Sequence, residues 1–449
     1  MKKITLILSA LLLGVLSFGQ NAEKCATIQL LQQRIQTNPV YQKAYTDFRK
    51  ENQAQSDIYL QNIANGVQQK TTQTNYVIPV VFHVVLTQPK LNQLGGTSGV
   101  RDRMLSQLDA INKDYNAKNT DSTSIPSPFK PLFGNAGILF APAHRKPDNT
   151  STEGFDIVLT TISSFSINNH YGSDPKFSGY GGVDAWDPTK YLNIWVVDIT
   201  ENTLLGYTIP PSFINYGFQE TEFGVVIDYG NFGKRASMSQ YFNPSTNDLG
   251  RTLTHEVGHF FELEHTFGQD STCSGTGDDG IADTPPQSDA TYNTTSACPN
   301  FPKFDICSPT GNGIMWMNFM DYVDDKCMYL FTKQQVNRMR SQFVPSGIPL
   351  SLTQSLEVLN WPNGIATTPT ESQVELFPNP TKGKFDINLM NIEGLEQITI
   401  INTLGQMVYH YSNCSEKHYE IDFTAQPKGI YLIQYQYKAG NKTQKIVLE

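Results

Sequence analysis

Little of this sequence is charged, and none of its charge is concentrated. Lys and Arg number 33 against 42 Asp and Glu in 449 residues, for a formal net charge of −9, and only 17% of the chain is charged. No Lys/Arg-rich block occurs, so the electrostatic footprint that neutralises nucleic-acid phosphates or an anionic lipid surface is missing, and both partners are set aside. Gly and Pro are spread along the chain, and 39% of residues are hydrophobic. That excludes a disordered or low-complexity protein and leaves apolar material for a sizeable core. Beyond the N-terminus no uncharged apolar run approaches the roughly 20 residues of a membrane-spanning helix. No internal repeat is apparent, and the length suggests two or three domains.

What is present begins with Met1-Lys2-Lys3, an apolar stretch from Ile4 to Phe18, and Gly19-Gln20. These are the parts of a secretory signal peptide, expected to span 1–19. Export permits disulfides. The chain has six cysteines: Cys273, Cys298, Cys307 and Cys327 share one Gly/Asp/Pro-rich region, while Cys25 and Cys414 stand alone. Four cysteines permit three pairings, and sequence alone does not choose among them.

The texture of the chain then changes in steps. Residues 20–72 are rich in Gln, Asn and Lys, with helical spacing at Ile28, Leu31 and Ile35, and read as an accessory pro-segment. From Tyr76, strand-like runs (Tyr76–Leu86, Gly137–Ala141, Tyr191–Ile199, Phe223–Ile227) alternate with a helical pattern at Met104–Ile111. Residues 73–345 are therefore expected to be one α+β domain with an α/β upper half. It should carry a helix from about Asn247 to Glu262 and another from Thr332 to Phe343. Pro, Thr and Ser mark 346–370 as a linker. Short alternating strands over 371–449 (Phe385–Leu389, Ile398–Ile401, Ile430–Tyr435) predict a small all-β sandwich.

The strongest chemical signal is His255-Glu256-Val257-Gly258-His259, followed by His265. Two histidines four apart on a helix share a face and can hold one metal, and zinc fits that pair. Glu256 can reach a water beside the metal as general base. Six residues rotate a helix by about 240°, so His265 joins the other two only if the helix breaks between them. Three neutral histidines and an open fourth position describe a catalytic rather than a structural zinc site. His83 and His144 lie in or beside apolar strands and read as core or edge residues. His170, His410 and His418 lack partners at ligand spacing.

This pattern resembles the metzincin metalloproteases, whose three histidines are followed by a Met-containing turn. Here that turn is Asn318-Phe319-Met320-Asp321-Tyr322. Ile78–Val85, Tyr191–Val197, Gly250–His259, Ala282–Pro285 and Cys327 are similar to the pappalysin family of metzincins, in order and over about Tyr76 to Phe343. The resemblance implies a zinc endopeptidase fold with Met320 beneath the metal and Tyr322 beside it, stabilising the transition state. It implies disulfides Cys273–Cys307 and Cys298–Cys327. It places Asp325 at the bottom of the pocket for the residue after the scissile bond, so cleavage is expected before Arg and, less well, Lys. It also implies calcium near Gly277–Thr284, with Asp278, Asp279, Asp283 and Thr284 as candidate oxygen ligands. Cys25 is expected to occupy the open zinc position and keep the precursor latent. One residue departs from the family pattern: Glu262 stands where the motif has Gly, which predicts altered local geometry with zinc retained. As a third ligand in place of His265 it is the weaker alternative.

The C-terminal stretch is similar to the sorting domain of the type IX secretion system. The matching pieces are Leu376–Gly383, Asn402–Gln406, Pro427–Tyr431 and the ending Lys445–Leu448. The expectation is therefore a secreted or surface enzyme acting on proteins and peptides, with the type IX machinery as export partner. The alternatives are an inactive surface adhesin with a metalloprotease-like domain, for which Glu262 argues and against which Glu256 argues, and a zinc hydrolase of non-peptide amides.

Overall fold

The computed structural model describes residues 23–65, 76–235, 246–293, 297–345, 347–360 and 374–449, apart from 390–394, 404, 413, 415, 438 and 439. The expected signal peptide, at 1–19, lies outside the described residues.

Two helices come first, α1 (Thr27–Gln36) and α2 (Pro39–Ala64), the second capped by Asn38 with Pro at its first turn. β1 (Tyr76–Leu86) follows and is the hub of the main sheet. Its run of Val, Ile and Phe is what a parallel strand covered on both faces requires, and it is buried from Ile78 to Leu86. Helices α3 (Gln88–Gln93) and α4 (Gly96–Tyr115) lead on to β2 (Ile138–Pro142) and β3 (Phe155–Leu159). Both pair with β1 in parallel, β2 along its first half and β3 along its second. On its other side β1 pairs with β4 (Leu192–Val197). Two further strands, β5 (Gly206–Ile209) and β6 (Gly224–Asp228), complete the sheet: β6 runs parallel to β4, and β5 returns antiparallel as the edge strand. Neither β3 nor β5 stood out in the sequence.

The next helix, α5 (Arg251–Phe260), is buried along all ten residues. It begins later than its pattern suggests because Gly250, at φ 83°, turns the chain, and the Asp325 carboxylate accepts the amides of Leu249 and Arg251 at 2.8 and 3.1 Å. It ends in a Schellman turn: Leu263 N donates to Gly258 O at 3.0 Å, and Glu262 N to His259 O at 2.9 Å. The left-handed position of that turn is Glu262 itself, at φ 64°. The altered local geometry expected at Glu262 is not found: the conformation Gly would take is kept, at a cost of order 1 kcal/mol, while Ser212 Oγ donates to Glu262 Oε2 at 2.9 Å.

A loop-rich half follows, joined by disulfides Cys273–Cys307 and Cys298–Cys327. The chain from Ile314 to Phe331 then passes under α5 with Met315, Met317, Phe319, Met320 and Val323 fully buried. Asn318 and Gln335 hold it by exchanging amide hydrogen bonds at 2.8 and 3.0 Å, and Met320 N donates to Asn318 Oδ1 at 2.9 Å. Gln335 belongs to α6 (Lys333–Ser341), whose Thr332 cap forms a capping box with it.

Part of the expected linker is folded: α7 (Ile348–Gln354) packs on β1, with Leu352 and Val358 buried. The reason is its apolar content, which Pro and Ser obscured. The C-terminal strands β7 (Val374–Phe377), β8 (Lys384–Leu389), β9 (Leu395–Asn402), β10 (Met407–Ser412), β11 (His418–Asp422), β12 (Gly429–Tyr437) and β13 (Gly440–Leu448) form two antiparallel sheets. Phe385, Ile398, Ile400, Ile433 and Ile446 belong to the core between them.

The turn at Glu262 generates a pH prediction. Burial, reinforced by Glu264, pushes its carboxyl up to about 8 despite Ser212 and Arg338, against roughly 4.3 in an unfolded chain. Folding therefore takes up a proton, so stability is fully present below about pH 4 and is lost as pH rises toward 8. Glu262→Gln should be about as stable as the parent chain near pH 4 and more stable at pH 9, by up to about 5 kcal/mol. A gap that does not widen with pH in melting curves would show an ordinary carboxyl.

Candidate active site

α5 presents His255 and His259 one turn apart on a single face, and the Schellman turn swings the chain back so that His265 joins them. His259 Nε2 lies 3.2 Å from His255 Nε2 and 3.1 Å from His265 Nε2. All three rings are buried. The Nδ1 atoms of His255 and His259 are each 2.7 Å from a backbone carbonyl, of Phe319 and Leu263 respectively. A carbonyl accepts only, so each Nδ1 carries the ring proton and each Nε2 turns a lone pair toward the common point. Burial holds all three histidines neutral, His255 down at about 4 and the other two well below the usual range. Lone pairs facing one another in a dry pocket are unfavourable unless a cation sits between them, and neutral imidazoles are what zinc takes. The donor set fits the metal. Among the described residues, His255, His259, His265 and Cys25 form the one group able to hold a metal, with ligand atoms all within 4.8 Å of one another. Glu262 points instead at Ser212 and is not part of it.

The helix sits close on the Met turn because Gly258 has no side chain: a Cβ there would fall 2.5 Å from Met320 Sδ. Phe267 stacks on His265, ring centroids 4.7 Å apart. Tyr322 brings its hydroxyl to 3.3 Å from His265 Nε2.

Glu256 projects toward the edge strand β5, where Thr208 Oγ1 lies 2.7 Å from its main-chain oxygen and 3.0 Å from its Oε2. Burial raises its carboxyl to about 8, opposed by hydrogen bonds from Cys25, Thr208 and Thr27. A carboxyl that can hold or release a proton near neutral pH is suited to general acid–base work. Thr208 escaped the sequence reading because four residues of an edge strand are too few for a period-2 signal.

The N-terminal residues cross this site. Cys25 forms a parallel bridge with Gly206 on β5, with Leu205 N donating to Lys24 O at 2.8 Å and Ala26 N to Gly206 O at 3.2 Å. Cys25 Sγ reaches within 3.5 Å of Glu256 Oε2. Thr27, also unforeseen, accepts from Thr208 N at 2.8 Å and donates to Glu256 Oε2 at 3.4 Å. The Cys25 carbonyl lies 3.1 Å from the Tyr322 hydroxyl.

Beside the histidines is a cavity lined by Lys24, Cys25, Asn247, Thr252, Tyr322 and Asp325, among others. Asp325 thus borders the site, but its Oδ2 is committed to the amides at the start of α5. The candidate calcium residues do not converge. Asp279 receives Thr284 Oγ1 and Ile281 N, Asp278 receives Gly280 N, and Asp283 receives Thr332 Oγ1 and Gln334 N. His83 is fully buried between Asp156 and Asn193, whereas His170 and His418 are exposed and bonded to Asp174 and Asn388.

Comparison with known proteins gives this geometry its family. The family described as pregnancy-associated plasma protein-A matches residues 182–344, and the secretion system C-terminal sorting domain matches 375–449. An extracellular metalloprotease of Verticillium alfalfae is 37% identical over 266 residues, spanning 59% of this chain and 76% of that one. Another, of Aspergillus oryzae, is 42% identical over 280 residues, 60% and 77% of the two chains. Among solved structures, a promirolysin mutant of Tannerella forsythia aligns at 36% identity with a TM-score of 0.63, covering 75% of this chain and all of that one. Mature mirolysin of the same organism, in complex with a cleaved peptide, aligns at 39% with a TM-score of 0.56, covering 64% and 99%. The chain belongs to the pappalysin family of metzincin metalloendopeptidases, a secreted hydrolase carrying a type IX secretion sorting domain.

Proposed function

We propose that this protein is a zinc endopeptidase, held by His255, His259 and His265 to its metal, that cleaves on the N-terminal side of Arg and, less well, Lys. The observation that carries the reading is the convergence of imidazole lone pairs beside a buried Glu256. Zinc, when bound, supplies the Lewis acidity that activates water and polarises a carbonyl. Glu256 takes the proton from the attacking water and passes it to the leaving amine. Tyr322 donates to the oxygen of the carbonyl under attack, the place the Cys25 carbonyl takes in this structure. Substrate backbone adds to the open side of β5.

The basic preference rests on Asp325 and is supported by Lys24, whose ammonium lies in the same cavity, 3.3 Å from Asn247 Oδ1 and 3.5 Å from Asp324 Oδ1. With one carboxylate oxygen committed to α5, Asp325 both caps the helix and offers its charge to the pocket.

The deciding experiment exposes a complex peptide mixture to the zinc-loaded, processed protein and to its Glu256→Ala variant, and reads new N-termini by mass spectrometry. Termini beginning with Arg or Lys, reduced at least about a thousandfold in the variant, are expected. Asp325→Asn, which keeps an oxygen for the helix amides, should lose the basic preference while still cleaving. Termini of another kind would discard the pocket, and zinc-loaded protein making none would return the adhesin reading.

Latency is proposed to rest on Cys25 with Thr27 as its second hold. Burial and the neighbouring Glu256 raise the Cys25 thiol, and a cation at the histidines would reverse that by binding the thiolate. Precursors carrying Cys25→Ala should mature several-fold faster, and Thr27→Val should show a smaller acceleration. Processing rates on gels equal to the parent's in both would remove the proposal.

A further inference from the structure

We infer that Thr208 is a positioning residue for the general base: with Gly206 it forms a seat on the edge strand that holds the Glu256 carboxylate toward the metal site. The inference rests on the role proposed above for Glu256. Along β5, Tyr207 and Ile209 enter apolar clusters, while Gly206 and Thr208 approach Glu256. At Gly206 a Cβ would fall 3.1 Å from Glu256 Cγ, 3.3 Å from its Oε1 and 2.8 Å from Val226 O. Only glycine leaves that notch open, and two residues on, Thr208 closes it.

Packing does not explain a threonine there. The position is fully buried in a strand, where Val fills the same volume and suits the backbone as well, and a buried hydroxyl is unfavourable unless bonded. Its oxygen meets the two ends of one residue, the main-chain oxygen of Glu256 at 2.7 Å and Oε2 at 3.0 Å. The hydroxyl has one hydrogen. With Glu256 protonated, Oε2 donates to Thr208 Oγ1 and the hydroxyl donates to the main-chain oxygen; with Glu256 ionised, the two oxygens share that hydrogen. In both states the side chain is tied to its own helix and its rotation is restricted. In the precursor Cys25 and Thr27 also touch Oε2. When the pro-segment leaves, Thr208 is the hold that stays.

The test uses the full chain, zinc-loaded, with its pro-segment removed by the same limited proteolysis for every variant. Thr208→Val should lower kcat about ten- to hundredfold with KM within about twofold and zinc content unchanged, and Thr208→Ser should recover to within about threefold of the parent. In the Glu256→Ala background Thr208→Val should cost nothing further. A Val variant with the parent's kcat, or a Ser variant as slow as Val, overturns the inference. If the Val variant does not fold, Thr208→Ala repeats the comparison with Ser. A crystal structure of the Val or Ala variant tests the seat separately: a displaced Glu256 carboxylate supports it and an unmoved one overturns it. That readout holds even if the parent hydrolyses no peptide, an outcome that would overturn only the endopeptidase reading.

Discussion

Two backbone carbonyls decide what this active site is. The oxygens of Phe319 and Leu263 each hold a histidine Nδ1 at 2.7 Å, and this directs the remaining lone pairs of His255 and His259 inward. One carbonyl comes from the Met turn and the other from the chain just after the Schellman turn, so the metal site is assembled only when both halves of the domain are folded against α5. The burial of every residue of that helix follows from the same demand, because it is gripped by β5 on one side and by the Met turn on the other. Stability and chemistry here draw on the same contacts.

Polar groups fasten the lower half alongside its apolar core and disulfides. Asn318 and Gln335 exchange amide bonds under the turn. Arg251 bonds Asp114, Asp121 and the carbonyls of Asp325 and Met328. A buried network of this kind is costly when incomplete and rigid when complete, and rigidity serves a site whose groups must stay within fractions of an ångström. The apolar Met320 fits into what these bonds leave, against the bare Cα of Gly258.

How much of this was legible depends on how local each signal is. The ligand spacing, the Met turn and the long strand β1 are written in consecutive residues and could be read directly. The disulfide pairing was open in the sequence itself and came only from the family likeness. β5 is four residues long, and its importance arises from what it lies beside, so nothing in Gly-Tyr-Thr-Ile announced it. Glu262 was readable as a departure but not in its outcome, because the hydroxyl of Ser212 that receives it is fifty residues away in sequence. Val358 and Leu352 sat in a stretch whose Pro and Ser suggested a linker, and their burial depends on partners distant in sequence, Val81, Ala143 and Tyr191 for Val358 and the main core for Leu352.

On the function and latency proposed above, the edge of the sheet connects the two. An edge strand carries unpaired backbone groups that will accept another strand. Here Gly206 O, Leu205 N and Thr208 N are taken by Ala26, Lys24 and Thr27, while Tyr322 and Glu256 face Cys25. The N-terminal residues thus satisfy the groups that the proposed substrate backbone would use, with Cys25 in a parallel bridge to Gly206. The two senses of strand place their carbonyls differently along an edge, so, for a substrate running antiparallel to β5, a parallel segment fills the backbone sites while offering no peptide bond in the register of attack. On the function and latency proposed above, such an inhibitor needs no distortion of the enzyme, and its removal would leave an open edge, a free Tyr322 hydroxyl and a Glu256 carboxyl still in contact with Thr208.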